Sequence, residues 1–230
     1  VIRQFATLQQ YSLSAFGFVA RFDPSGTLWT SGFIGFKADT TAATPIALAD
    51  NLLAFDAMGR LYTRSAGGAL NVYTLDANDT PTLTRTITPN APPCSAAVDD
   101  NGNVYVGLCG NSNNPFGEVV EYGPTGNGNV IPIAMNVAAS APVAVSSTGN
   151  LYAIYNNGSE NEIGIWNAGT FGSVSPTGGT VSIPSGYSIA DISVDASGTL
   201  RTVQFQLDSK TCAPVGISSG YCDSIAAPFP

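Results

Sequence analysis

Apolar residues in this 230-residue chain come in short stretches that alternate with polar ones, and each stretch is cut by a polar corner. Ala97-Val98 runs into such a corner and Val104-Tyr105-Val106 runs out of it, a period of two that predicts half-buried strands on both sides. The corner recurs. It reads Asp23-Pro-Ser-Gly26-Thr-Leu28-Trp29, Asp56-Ala-Met-Gly59-Arg-Leu61-Tyr62, Asp99-Asp-Asn-Gly102-Asn-Val104-Tyr105, Ser146-Ser-Thr-Gly149-Asn-Leu151-Tyr152 and Asp195-Ala-Ser-Gly198-Thr-Leu200-Arg201. The successive intervals between Gly26, Gly59, Gly102, Gly149 and Gly198 are 33, 43, 47 and 49 residues.

Each corner has a physical reading. An Asp or Ser at its first position caps the backbone, and the Gly three residues later takes a left-handed conformation, as in a type I turn followed by a bulge. Each is therefore the tip of a β-hairpin. A third strand is predicted after each tip, at Phe33–Phe36, Val72-Tyr73, Val119–Tyr122 and Ile163–Trp166. Thr- and Pro-rich runs such as 82–87 and 130–133 suit a fourth, outer strand, where an edge tolerates Pro.

Four antiparallel strands repeated every 40 to 50 residues or so, with no amphipathic helix between them, predict an all-β propeller. A β-helix needs a shorter period, and a sandwich does not repeat its turns so regularly. The expected arrangement is one domain over 1–230 with five four-stranded blades, at about 12–46, 47–90, 91–136, 137–184 and 185–230. Residues 1–11 would supply a strand that closes the ring by pairing with the C-terminal blade, which removes open sheet edges. A sixth, degenerate blade in 204–230 is the alternative count.

Composition changes the picture in one respect. Charged residues make up 10% of the chain, against roughly a quarter in an ordinary soluble domain, so Asn, Ser, Thr and Gly carry the polar load. The net charge is −8, and the eight Lys and Arg are scattered singly. Nucleic acid and anionic membranes need clustered cations, so neither is an expected partner. No stretch reaches the roughly 20 apolar residues of a membrane span. The chain starts at Val1 without a charged and apolar leader and is read as mature or trimmed. Four cysteines fall into two local pairs, Cys94 with Cys109 and Cys212 with Cys222. Without Cys-x-x-Cys spacing or any histidine, disulfides in an oxidising compartment are favoured over zinc, which makes the chain secreted, cell-surface or periplasmic. In the first pair register is the difficulty: a bulged tip offsets the two cysteines by one residue and demands a local adjustment. Asn78-Asp79-Thr80 and Asn157-Gly158-Ser159 match the N-glycosylation triplet, which chance also supplies in an Asn-rich chain.

The Asp-x-x-Gly-x-Leu-Tyr tips, together with Glu118-Val-Val-Glu-Tyr-Gly-Pro-Thr-Gly-Asn-Gly-Asn-Val-Ile-Pro, resemble the NHL-type and virginiamycin B lyase-like propeller repeats over roughly residues 16 to 205. The resemblance implies a fold, since its motif encodes a turn and packing. It also implies, for the lyases, metal-dependent chemistry with a catalytic histidine, which this chain lacks. Gluconolactonase-like propellers hold a divalent metal through inward acids and Asn; Asp50 and Asp191 are the counterparts here, though in no matching motif.

If the tips mark one end of each blade, ligand-binding loops belong at the other, at 65–69, 110–117 and 156–162, with 49–51, 92–94 and 188–191 leading into inner strands. Asn111, Asn113, Asn114, Tyr155, Asn156, Asn157, Glu160 and Glu162 form the most polar loops with an aromatic among them. Amides and carboxylates beside a ring suit a sugar or a Ca²⁺ ion, and solvated turns are the plainer reading; no other cofactor is expected. Glu118 with Glu121, or Glu160 with Glu162, would be carboxylate pairs for glycoside hydrolysis, but the sequence places no acid in an apolar pocket. The tip acids read as turn caps, and Trp29, Tyr62, Tyr105 and Tyr152 as packing between blades. The leading functional expectation is a non-catalytic binding or scaffolding module for a protein or glycan ligand, assembling with copies of itself as an oligomer or filament. A lectin-like propeller and a metal-dependent hydrolase or lactonase are the alternatives.

Overall fold

A computed structural model describes residues 50–78, 80–110, 116–125, 132–138, 142–170, 172–185, 187–195 and 197–206, and the backbone of short strands at 20–22, 28–30, 34–36, 43–45 and 222–225. The expected closing strand at 1–11, Asn111, Asn113, Asn114 and the Cys212–Cys222 pairing lie outside the described residues. Every described element is a strand. The chain divides into two compact units, 1–90 and 91–230, taken in turn.

Unit one holds two four-stranded antiparallel sheets, each in sequential order. The first comprises β1 (Ala20–Phe22), β2 (Leu28–Thr30), β3 (Ile34–Phe36) and β4 (Ala43–Pro45). The second comprises β5 (Asn51–Phe55), β6 (Leu61–Arg64), β7 (Leu70–Leu75) and β8 (Pro81–Ile87). Leu52 and Leu61 form one of its buried clusters, with Phe55, Tyr73 and Leu75 packed against them. Its outer strand β8 begins at a proline, where no ladder partner needs the missing N–H.

Unit two continues the pattern. Strands β9 (Pro93–Val98), β10 (Val104–Leu108), β11 (Phe116–Tyr122) and β12 (Pro132–Ala138) form one sequential sheet; β13 (Val143–Val145), β14 (Leu151–Asn156), β15 (Asn161–Trp166) and β16 (Gly179–Ser182) form the next. A single antiparallel bridge, Val137 to Tyr155, joins them. β17 (Tyr187–Val194), β18 (Leu200–Gln206) and β19 (Cys222–Ile225) make a third sheet.

The β13–β16 sheet shows how these sheets stack. Its residues Val143, Leu151, Ala153 and Trp166 lie in one buried cluster with Tyr105, Val119 and Val137 of the preceding sheet. The alternate residues Ala144, Tyr152, Ile154 and Ile163 lie in another with Ile192 and Leu200 of the following sheet. Cross-strand partners agree, since Leu151 faces Trp166 and Ile154 faces Ile163. Alternation by one residue thus assigns each side chain to one neighbour or the other. Apolar burial on both faces, roughly 1.5–3 kcal/mol per large side chain, is what a sheet between two sheets requires.

The first tip, Asp23 to Gly26, lies outside the described residues, and the other four form as the spacing predicts. Gly59, Gly102, Gly149 and Gly198 have φ of 78°, 81°, 82° and 84°. In each, the glycine N–H donates to the carbonyl of the first corner residue, and that residue's N–H donates to the carbonyl beyond the glycine. The side chain of the first residue adds the cap: Asp56 Oδ1 accepts from the amides of Met58 and Arg60, both at 2.9 Å. Asp99 and Asp195 repeat this, and Ser146 Oγ accepts from the amide of Asn150 at 3.1 Å.

Candidate functional site

The repeated aromatics sit where packing places them. Tyr62, Tyr105 and Tyr152 are 1%, 3% and 8% exposed. Two of them do more. The Tyr62 hydroxyl donates to Asp56 Oδ2 at 3.1 Å and that of Tyr105 to Asp99 Oδ2 at 3.4 Å, so the carboxylate that caps the turn with one oxygen holds the next strand with the other. Burial first, then the Asp56 charge, pushes the Tyr62 hydroxyl up to about 12. In the last tip Arg201 takes the tyrosine's place and donates to Asp195 Oδ2 at 3.0 Å. The sequence carried this signal, an acid followed six residues later by a donor, and reading the two positions separately missed it.

At the opposite end of the hairpins the loops differ from one another. Ser65 caps the β6–β7 turn, its Oγ accepting from the Ala69 amide at 3.0 Å. Cys94 and Cys109 are joined in a disulfide with Cα atoms 5.3 Å apart. The expected adjustment is a bulge: Gly107 faces Ser95, but Leu108 faces Pro93, leaving Cys94 as the extra residue. Without it, the pleat would point Cys94 to the face of Leu108, away from Cys109. Gly107 lies close against this strand, since a Cβ there would oblige the Ser95 hydroxyl to turn away.

The β14–β15 hairpin brings part of the predicted site together and separates the rest. Tyr155 faces Glu162 across the ladder and Asn156 faces Asn161. Successive residues on a strand point to opposite sheet faces, so the four side chains split into two pairs. Tyr155 is half-buried against the cluster shared with the preceding sheet, its ring edge-on to Trp166 with centroids 6.0 Å apart. Asn156 Nδ2 donates to Asn161 Oδ1 at 3.0 Å on the exposed side. Glu160 is exposed in the loop before β15, not on the strand beside Glu162. Asn157, also exposed, turns its Oδ1 inward to the amides of Ser159 and Glu160.

Asp50 and Asp191 already accept hydrogen bonds from their own sheets. Asp50 Oδ2 accepts from Thr63 Oγ1 at 3.0 Å, Asn71 Nδ2 at 2.9 Å and the Tyr73 hydroxyl at 3.2 Å, a network across β6 and β7 that the sequence did not reveal. Burial and the Asp50 charge raise the Tyr73 hydroxyl above its ordinary value. Asp191 follows a bulge in β17, and its Oδ1 accepts the amide of Ile192 at 3.0 Å. Glu121 faces Tyr105 near a tip, and burial raises its carboxyl, with the Tyr105 hydrogen bond opposing and the Asp99 charge adding. Glu118 lies three residues away on β11, on the opposite face by strand alternation. Among the described residues no three acids or cysteines stand close enough to hold a metal ion, and no helix is long and apolar enough to cross a membrane.

No family model and no curated protein sequence matches the chain, so its likenesses are structural. A gluconolactonase from Xanthomonas campestris is similar with a TM-score of 0.56 and 18% identity, over 80% of this chain and 70% of that one. A calcium-binding regucalcin from Agrobacterium tumefaciens is similar at 0.52 and 17%, over 81% and 66%. The fold is a β-propeller. A virginiamycin B lyase from Staphylococcus aureus aligns over 90% of this chain and 68% of that one, with a TM-score of 0.45 and 12% identity. The propeller chain thus spans roughly two-thirds of the length of these proteins, and identities this low concern architecture alone. Within that architecture the sheets are blades, and their stacked faces are the contacts of Tyr105 and Tyr152 described above.

Proposed function

We propose that this propeller is an extracellular, non-catalytic binding module of five blades, closed through its chain ends, whose ligand meets the loop end of the blades. The observation that carries the reading is the contrast in chemistry between the two ends. The tips repeat one turn, whereas the β14–β15 end presents the hydrogen-bonded amides of Asn156 and Asn161 on one sheet face and the carboxylate of Glu162 on the other. Neutral amides are donors and acceptors suited to the hydroxyls of a sugar or the backbone of a protein. The disulfide supports an oxidising compartment, and the low charge supports close packing against another protein or another copy.

A glycan array and light scattering across a concentration series test it. Binding of a glycan class, or concentration-dependent assembly, is the expected result; a monomer silent on the array and in pull-downs from extracellular fluid overturns it. The second reading is a metal-dependent lactonase, favoured by the likeness to gluconolactonase and regucalcin. The described residues do not fit that metal well, because no three acids or cysteines among them stand close enough to hold an ion and Asp50 already accepts three hydrogen bonds. Lactone hydrolysis that depends on added Ca²⁺ or Zn²⁺ would replace the first reading with the second.

A further inference from the structure

Two Asn-x-Ser/Thr triplets lie in exposed turns, and the structure treats them differently. In the β14–β15 loop, residues 157–160 are all exposed. Asn157 Oδ1 accepts three hydrogen bonds, from the Ser159 amide and the Ser159 hydroxyl, both at 2.9 Å, and from the Glu160 amide at 3.0 Å. Committing the oxygen inward leaves the amide nitrogen, Nδ2, on the outer side, and no described residue bonds to it. Gly158, at φ 98°, has no side chain to cover the pair. The hydroxyl two residues on is thereby held against the Asn157 amide at the apex of an open hairpin. In the β7–β8 turn the organising group is Asp76 instead. Its Oδ1 accepts the amides of Asn78 and Thr80, both at 2.8 Å, and the Thr80 side chain also hydrogen-bonds to Asp76. There the hydroxyl belongs to the aspartate, not to Asn78.

We propose that Asn157 is an N-glycosylation site and that Asn78 is not. The inference rests on the reading of the chain as exported, since the transfer takes place along the export route, where the Cys94–Cys109 disulfide also forms. Asn157 Nδ2 attacks the anomeric carbon of an oligosaccharide carried on a polyprenyl diphosphate. The new N–C bond forms as the C–O bond to phosphate breaks, the electron pair leaves with the polyprenyl diphosphate, and the amide proton passes to a base of the transferring enzyme. Asn157 lies beyond the Asn156–Asn161 pair, so the glycan departs from the hairpin apex.

The test is secretion of the full chain from a eukaryotic host, followed by peptide:N-glycosidase digestion and peptide mass spectrometry. One digestible mass shift is expected on the Asn157 peptide, lost completely in N157Q and in S159A and unchanged in N78Q. S159T, which keeps the hydroxyl, retains it and guards against a folding defect in the other variants. Secreted, disulfide-bonded protein without the modification at Asn157, or a shift that follows N78Q, overturns the site while leaving the export reading intact. Retention of the chain as a reduced cytosolic protein overturns the export reading and the site together.

Discussion

The two ends of each blade obey different rules. At the tip end the same turn is built again and again, Asp56, Asp99, Ser146 and Asp195 each receiving the amides or amide of their own corner, with a left-handed glycine three residues on. At the loop end one hairpin uses a serine cap, the next a bulge and a disulfide, and the next an asparagine turn. Both ends spend side chains on their own backbone, so what separates them is repetition, which marks what folds the chain. Variation at the other end marks where recognition can differ from blade to blade.

Removing the disulfide is the severest way to break that comparison, because it would make one loop-end feature as costly as any tip. The double variant C94S/C109S removes a link between residues 15 apart, worth about 3 kcal/mol in the chain-entropy model. Urea unfolding should show this loss. An unchanged midpoint would mean that the bulge at Cys94 holds the hairpin without the bond.

Next comes Asp56, whose side chain is 3% exposed. D56A removes a cap worth about 1 kcal/mol and strands the buried Tyr62 hydroxyl, which adds about 1 kcal/mol more. Calorimetry should therefore show a loss of about 2 kcal/mol. D195A removes the same cap where the side chain is 32% exposed and its partner Arg201 is solvated, so its loss should be the smaller. Equal losses would show that burying the second oxygen's partner adds nothing.

The gap between these two acids also shows what the sequence made legible. Strand period, tip geometry and stacking aromatics were readable because turn chemistry and alternation act over a few residues, as in Gly102 and Tyr105. The Asp50 network was not, because Thr63, Asn71 and Tyr73 reach it from two other strands, and only the register brings them there. Tyr155 read as a displayed aromatic for a related reason. The polarity of its loop was visible, but the Val137 bridge and the Trp166 ring that cover it lie on residues 18 and 11 positions away.

Acid titration distinguishes tip from core more gently. Hydrogen bonds from the Ser197 hydroxyl and the Thr199 amide lower the Asp195 carboxyl to about 2, and those of Thr80 and Asn78 lower Asp76. The ionised forms are favoured by folding, so their contribution is fully present above the unfolded value near 3.9 and is lost as pH falls through the folded value. Stability should hold from neutral pH to about 5 and decline between about 4 and 2. Glu121 acts in the opposite sense, since its raised carboxyl makes ionisation unfavourable to the folded state at neutral pH. E121Q should therefore be slightly more stable than the parent at pH 7, the difference vanishing below pH 4 or so. A variant less stable at pH 7 would show that the Tyr105 hydrogen bond outweighs burial.

The smallest effect on stability should come from the end proposed to bind. Asn161 is exposed, and N161A costs only its bond to Asn156, while E162Q keeps the shape and removes the charge at a half-buried position. Each should leave the unfolding midpoint within about 0.5 kcal/mol of the parent while lowering the signal on whichever array glycan the parent binds. A surface whose residues can be changed at no cost to folding is free to serve a ligand. If binding and stability instead fall together in both variants, this end is built like the tips, and the division of labour between the two ends fails.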